Sequence, residues 1–493
     1  MKRIDILAKN LGLTEDEFIC YGTDKAKILR DPMEKTDSHL ILVTAINPTS
    51  YGEGKTTVTI GLNDAFSKLG LSSMAVLREP SLGPVFGLKG GATGGGKASI
   101  VPEDDINLHF TGDFHAITSA NNLLCAAVDN HIFQGNELCL DPDTIMVKRC
   151  LDMNDRTLRP DFNITAASEV MAIFCLATNF LDLRNRLGNI LVGYTFSKKA
   201  VYAKDLKVDG AMALLLKDAF HPNLVQSLEE NPVLVHGGPF ANIAHGCNSI
   251  LATKTAMSMV DYVITEAGFG SDLGAEKFLN IKCPVAGIHP SFIVLVATIR
   301  ALKHSGMDNL HAHIDHLEQY HIPFCVAINQ FFDDTKEDIE ELQSYCESLG
   351  VSSIVTNSYV EGGAGSVSLA EHIVKNLDNS NYQPLYTSDM KVTDKIERVA
   401  KKVYSASSII YSEEAKEKLQ KIESLGVAHF PICMAKTPYS ISDDKEKLGY
   451  PKDYAISVRD IIIQTGSEMI IVLLNNIITM PGLPKKPNFE DME

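Results

Sequence analysis

Gly52, Glu53, Gly54, Lys55, Thr56 and Thr57 stand between an apolar run, His39 to Ile46, and a stretch with helical patterning, Val58 to Leu69. Strand, glycine turn, Gly-Lys-Thr and helix together make a phosphate-binding loop. Backbone N–H groups at the helix start point at phosphate oxygens, and Lys55 adds a full positive charge. Thr56 is placed to hold Mg²⁺ through a nucleotide. The usual loop has glycine six positions before the lysine, where this chain has Thr49. The competing reading is a helix with a glycine-rich start and a solvated lysine. The flanking strand and helix favour a site for ATP.

Other residues suit the same chemistry. Arg78 and Glu79 follow an apolar strand, Ser73 to Leu77, and precede Pro80 and Pro84. At a strand's C-terminal end an arginine can clamp a phosphoryl group or a carboxylate through two hydrogen bonds. An Arg78–Glu79 charge pair is the plain alternative. Asp113 and His115 lie two apart, so an extended segment would put both on one side, fit for acid–base or Mg²⁺-linked work. The run His236 to Asn248 joins glycines to polar residues at a strand end and is expected to line a site. Glu266 follows the apolar Tyr262 to Thr265, the place of a Mg²⁺-supporting acid, although an exposed helix-capping acid reads equally well. His311, His313, His316 and His321 cluster near Asp315, but only His313 and His316 share a helical face, so a metal role is not favoured. The acidic run Asp333 to Glu341 reads as a solvated helix start.

These residues need strands and helices to position them. Apolar strands alternate with amphipathic stretches, the pattern of a largely parallel α/β sheet. The strand candidates are His39 to Ile46, Ser73 to Leu77, Asn189 to Val192, Tyr262 to Thr265, Phe292 to Val296 and Phe324 to Ile328. The segment Phe86 to Lys97 is too glycine-rich for regular structure and suits close approach to a ligand. A helix is expected over Val392 to Tyr404. The expected architecture is a P-loop NTPase-like core, residues 1–115 plus about 285–315, with an inserted α/β domain at 116–284 and a C-terminal domain at 316–493. A chain of 493 residues supports this many units. Its net charge of −17 argues against a nucleic-acid or anionic-membrane partner. No leader or spanning segment is apparent, and the ten cysteines are scattered without a Cys-x-x-Cys pair. A cytoplasmic location with reduced, buried thiols is expected.

Taken together, Pro48 to Thr57, Leu77 to Gly96, Asn107 to Ala116, Asp129 to Asn136, Met153 to Arg156, His236 to Asn248, Thr265 to Lys277, Val296 to Lys303, Met434 to Thr437 and Thr479 to Pro487 resemble the formate–tetrahydrofolate ligase family, in order and over nearly the whole chain. The resemblance implies ATP-dependent formylation of tetrahydrofolate through formyl phosphate. It implies Lys55, Arg78 and Asp113 as catalytic residues, Thr49 and Gly52 to Thr57 around the nucleotide, and Glu79, Phe331 and Tyr359 around the folate. It further implies Mg²⁺ with ATP, a monovalent cation (K⁺ or NH₄⁺) and a homotetramer. The family sandwiches the pterin between a phenylalanine, matching Phe331, and a tryptophan, where this chain has Tyr359. Lys97 replaces a usual tyrosine and Glu103 a usual methionine. The connections Leu158 to Phe162 and Lys303 to His313 are short, and the sequence ends soon after Pro487. Two other readings stay open: a carboxylate-activating ligase with another acceptor, and a non-catalytic nucleotide- or folate-binding relative.

Overall fold

The computed structural model describes residues 1–33, 37–49, 52–87, 91–377 and 380–492. Ser50 and Tyr51 of the phosphate loop, and residues 88–90 of the glycine-rich segment, lie outside the described residues.

Among the described residues a twelve-stranded sheet organises the molecule. Seven of its strands run parallel: β1 (His39–Ala45), β2 (Ser73–Leu77), β3 (Pro232–Val235), β4 (Tyr262–Glu266), β5 (Phe292–Ala297), β6 (Phe324–Asn329) and β7 (Ser353–Thr356). Their spatial order is β3-β2-β4-β1-β5-β6-β7. Antiparallel strands Asn223–Ser227, Lys25–Ile28 and Phe18–Tyr21 extend the β3 edge. The sheet takes strands from each of the segments 1–115, 116–284 and 316–493.

Both faces are covered, which is why the parallel strands read as continuous apolar runs. Along β1, Ile41, Val43 and Ala45 pack on Val58, Leu62 and Phe66 of α1 (Lys55–Lys68). Leu40 and Leu42 face the opposite core. Each strand therefore aims its C-terminal end at one edge, and the loops leaving β1, β2, β4, β5, β6 and β7 gather there.

A second core lies among α2 (Asp113–Phe133), Glu169–Leu176, Phe180–Gly188 and Asp209–Leu216. A four-stranded mixed sheet follows near the C-terminus: Ser408–Tyr411, Ala455–Gln464, Met469–Leu474 and Ile432–Ala435. The helix expected from Val392 spans Val392–Lys402. Cys20 and Cys139 are exposed, the other eight cysteines are buried, and all ten are free thiols. Among the described residues no helix is long and apolar enough to cross a membrane.

Three expectations change. The strand near Asn189 is Leu191–Tyr194, which pairs antiparallel with Ala200–Tyr202 outside the large sheet. The intervening turn, closed by Thr195 N–H donating to the Lys199 carbonyl, folds it back on its neighbour. The glycine-rich segment holds a short hairpin, Gly94–Gly95 against Ala98–Val101. Positive φ at Gly94 and Gly96 makes that reversal possible. Asp113 and His115 are not on an extended segment. Gly112, at φ 90°, starts α2, and residues two apart on a helix diverge by about 200°.

Candidate active site

The loop after β1 is held by a buried carboxylate. Glu53 accepts hydrogen bonds from the Thr49 N–H (2.6 Å) and hydroxyl (2.8 Å). Its other oxygen accepts from the Thr298 hydroxyl. Thr49, which takes the place of the usual glycine, thus closes the loop's neck with its own side chain. The Glu53 carbonyl accepts from Asn329 Nδ2 at 3.1 Å, and the Gly52 carbonyl from Arg300 Nη2 at 2.8 Å. Gly54 has φ 70°, and a Cβ there would lie 2.4 Å from Asn329 Nδ2. The loop is therefore fastened to the ends of β5 and β6, and α1 starts at Lys55 with its N–H groups facing the space above.

That space is a cavity of about 390 Å³ lined by Gly52, Glu53, Gly54, Lys55, Thr56, Thr57, Arg78, Glu79, Ser81, Phe240 and Glu266, among others. Loss of water contact pulls the Lys55 ammonium down to about 8; Glu266 opposes this and Arg78 adds to it. Thr56 Oγ1 donates to Glu266 Oε2 at 2.8 Å. Glu266 ends β4, the strand beside β1, so the pairing of those two strands sets the hydroxyl beside the acid. Two hard oxygens at the foot of a phosphate cradle are a donor set that fits Mg²⁺.

Arg78 leaves the end of β2. Its Nη1 donates to the Pro239 carbonyl at 3.0 Å, while its Nε has no partner among the described residues. A Cβ at Gly268 would stand 2.7 Å from Nη1, so that glycine keeps room for the guanidinium. Glu79 is buried, with its N–H on the Gly237 carbonyl and its Oε2 without a partner among the described residues. Burial pushes this carboxyl well above the usual range. Asp113 and Asp152 add to the rise and Lys27 opposes it. Burial thus disfavours the charged form of Glu79 on the cavity wall, and among the described residues Arg78 donates to a carbonyl rather than to Glu79.

Asp113 is fully buried at the start of α2, bonded to Lys27 Nζ at 2.6 Å and Asn223 Nδ2 at 2.7 Å. It stands behind Glu79 instead of lining the cavity, and His115 points to solvent. From the run His236 to Asn248, Gly238 and Phe240 reach the cavity.

Behind the loop lies a network that the histidine spacing only hinted at. Asn47 N–H donates to His313 Nε2 at 2.9 Å, and Ser271 Oγ meets Nδ1 of both His313 and His316 at 2.7 and 2.9 Å. Burial lowers these imidazoles to about 4 and about 3, so both are neutral hydrogen-bonding partners. Asn47 Nδ2 also donates to Asp272, which pairs with Lys436 at 2.5 Å in full burial.

Phe331 and Tyr359 follow β6 and β7, which are neighbours in the sheet. The Phe331 N–H is fixed by Asp334 Oδ2 at 2.7 Å, and the Arg300 guanidinium lies 4.6 Å from the ring centroid. Tyr359 is 59% exposed, with the hairpin glycines Gly95 and Gly96 against it and its carbonyl accepting from Lys97 N–H. Ser358 approaches Gly61 of α1 so closely that a Cβ there would lie 2.2 Å from its hydroxyl. Tyr359 is thereby seated against the helix that carries Lys55.

The family profile described as formate–tetrahydrofolate ligase matches residues 1–493. The chain belongs to the formate–tetrahydrofolate ligase family. It is accordingly an enzyme of one-carbon metabolism, and family membership implies ATP, formate and tetrahydrofolate as substrates, with Mg²⁺ accompanying ATP.

Sequence reasoning placed Lys55, Thr56, Arg78 and Glu79 around one site and could not see what holds them. Thr298, Arg300, Asp272 and Lys436 lie in runs that resemble the family and His313 in the histidine cluster, but nothing in those runs says which groups they hold. Their signal is a polar type within otherwise apolar surroundings. For a buried polar residue this means a partner somewhere in the fold, and the chain alone does not name it.

Proposed function

We propose that this ligase activates formate as formyl phosphate and passes the formyl group to tetrahydrofolate. The carrying observation is the single cavity wall that bears Lys55, Thr56, Glu266, Arg78 and Glu79. Formate is an anion and a poor electrophile, and its oxygen has to attack an already anionic γ-phosphorus. Lys55 and Arg78 lower the charge repulsion of that encounter. ADP leaves, with the P–O bond to its β-phosphate broken. Bound Mg²⁺ supplies further charge neutralisation, and Thr56 with Glu266 would hold it. In the second step the folate amine attacks the formyl carbon, the C–O bond to phosphate breaks, and the amine proton ends on the departing phosphate. Arg78, whose Nε has no partner among the described residues, is suited to the oxygen that gains charge there.

The nucleotide reading assigns Thr49, Gly52, Glu53, Gly54, Lys55, Thr56 and Thr57 to ATP in a P-loop NTPase-like core. The β1–α1 loop and the hydrogen bond from Thr56, at the start of α1, to Glu266, at the end of neighbouring β4, support it. For the folate, Phe331 and Tyr359 offer flat rings and the buried Glu79 carboxyl offers a hydrogen-bonding group on the cavity wall. Asp113 acts from behind, where its charge adds to the rise of the Glu79 carboxyl. The family likeness also supports a homotetramer and activation by K⁺ or NH₄⁺. A second reading, a different amine acceptor, has its own support: the exposed Tyr359 where the family has tryptophan. Purified protein incubated with ATP, formate, Mg²⁺, K⁺ and tetrahydrofolate should release ADP and give 10-formyltetrahydrofolate. Formate-stimulated ADP release that ignores tetrahydrofolate would transfer the assignment to the second reading.

A further inference from the structure

Arg300 stands between the two halves of this site. It is the second residue of the helix Ile299–Ser305, which leaves the end of β5. In the sheet β5 lies between β1, the strand before the phosphate loop, and β6, the strand before Phe331. Topology therefore places Arg300 in the gap between cradle and platform. Its guanidinium bridges that gap: Nη2 donates to the Gly52 carbonyl at 2.8 Å, and the guanidinium carbon lies over the Phe331 ring, 4.6 Å from its centroid. Glu53, the loop's buried carboxylate, lies 4.0 Å from Nη2 and keeps a compensating charge close by.

We infer that Arg300 is a positioning residue for the acceptor, which ties the geometry of the phosphate loop to the aromatic platform on Phe331. The inference rests on the folate reading of Phe331. Two consequences follow. The guanidinium covers one face of the ring, so a flat acceptor has the other face. A cation on the covered face also fixes the ring's plane through its attraction to the π cloud, which leaves the free face oriented. Because the same group holds the Gly52 carbonyl, a shift of the loop is transmitted to the plane on which the acceptor stacks. Arginine is suited to this double role, since a planar guanidinium stacks and directs hydrogen bonds at once, whereas a lysine ammonium is a point charge on a flexible stem.

The test is a double-mutant cycle on the KM for tetrahydrofolate. Arg300→Lys keeps the charge and loses the stack, and it should raise this KM by about tenfold, at least threefold more than it raises the KM for formate. Phe331→Leu should raise the folate KM as well. In the Phe331→Leu background, Arg300→Lys should add less than twofold, since the ring it orients is gone. Multiplying effects, or equal changes in the folate and formate KM, would overturn the inference and leave Arg300 as a support of the loop alone. Wild-type protein in the same assay separates the two levels. Failure of the wild type to formylate tetrahydrofolate removes the folate reading and the inference with it. Normal wild-type transfer with additive variants removes the inference only.

Discussion

Gly54 offers a measurement of how tightly the phosphate loop is held. In Gly54→Ala the new Cβ sits at φ 70° and 2.4 Å from Asn329 Nδ2. Left-handed backbone costs a non-glycine residue about 1–2 kcal/mol. The displaced amide also gives up its hydrogen bond to the Glu53 carbonyl, a further ~0.5–1.5 kcal/mol. Together these come to roughly 1.5–3.5 kcal/mol, or about 10- to 400-fold in affinity for ATP. Gly52→Ala is the matched control: φ is 76° and none of the described residues lies within 4 Å of its Cβ, so the backbone cost is the one that applies, about 5- to 30-fold. Calorimetric titration of each variant with a non-hydrolysable ATP analogue gives both numbers. In an Asn329→Ala background the clash is gone, and the Gly54→Ala penalty should fall to that of Gly52→Ala. Equal penalties for the two glycines in the parent protein, or an undiminished Gly54 penalty beside Ala at 329, would refute the idea that Asn329 latches the loop.

Lys55, at about 8 in the free protein, is charged below that pH and neutral above it, so the KM for ATP should climb by up to about tenfold per pH unit beyond pH 8. A flat KM between pH 7 and 9.5 would exclude the lysine as the titrating phosphate ligand. Tyr359→Ala removes a stacking surface worth about 0.5–1.5 kcal/mol and should raise the tetrahydrofolate KM about two- to tenfold, with the ATP KM little altered and Tyr359→Trp acting in the opposite sense. An unchanged folate KM would reduce Tyr359 to a seat for the hairpin. Lys436→Met leaves Asp272 buried without its cation, which should cost about 3–5 kcal/mol and lower the urea midpoint of unfolding. Adding Asp272→Asn should recover much of that loss, and failure to do so would show that the pair is not what Lys436 contributes.

Much of the scaffold could be read from residue patterns because burial on both faces writes a parallel strand as an apolar run. β1, β2, β4, β5 and β6 were all visible in this way. β3 escaped because it is four residues long and opens on Pro232. β7 escaped because its residues, Ser353 to Thr356, are only partly apolar. The strand near Asn189 was legible as a strand but not as to its partner, since pairing is decided by the turn that follows it. At the site, Gly54, Lys55 and Thr56 announce themselves by spacing. The clasp around Glu53 does not: Thr298 lies 245 residues away and Asn329 contributes through its amide to a backbone carbonyl. Asp113 shows the converse. Its acidic type was visible, but whether it faces the cavity or a buried lysine depends on Gly112 starting a helix, a choice made by backbone geometry.

The strand order has a consequence for the time at which the protein becomes competent. β1 is made early, together with the loop and helix proposed above to bind phosphate. Its two neighbours in the sheet, β4 and β5, leave the ribosome about 220 and 250 residues later, and such distant pairings are slow to close. Until then both hydrogen-bonding edges of an apolar strand are open, which is the state in which nascent chains join the wrong partner. The loop's fastenings arrive later still, with Thr298 and then Asn329, when roughly two thirds of the chain has been synthesised. Before that moment the hydrogen bonds from Thr298 and Asn329 that fasten this loop cannot form. Nucleotide capture is thus acquired late and together with closure of the central sheet, and ATP in the surrounding solution can act as a ligand that draws the last strands into place.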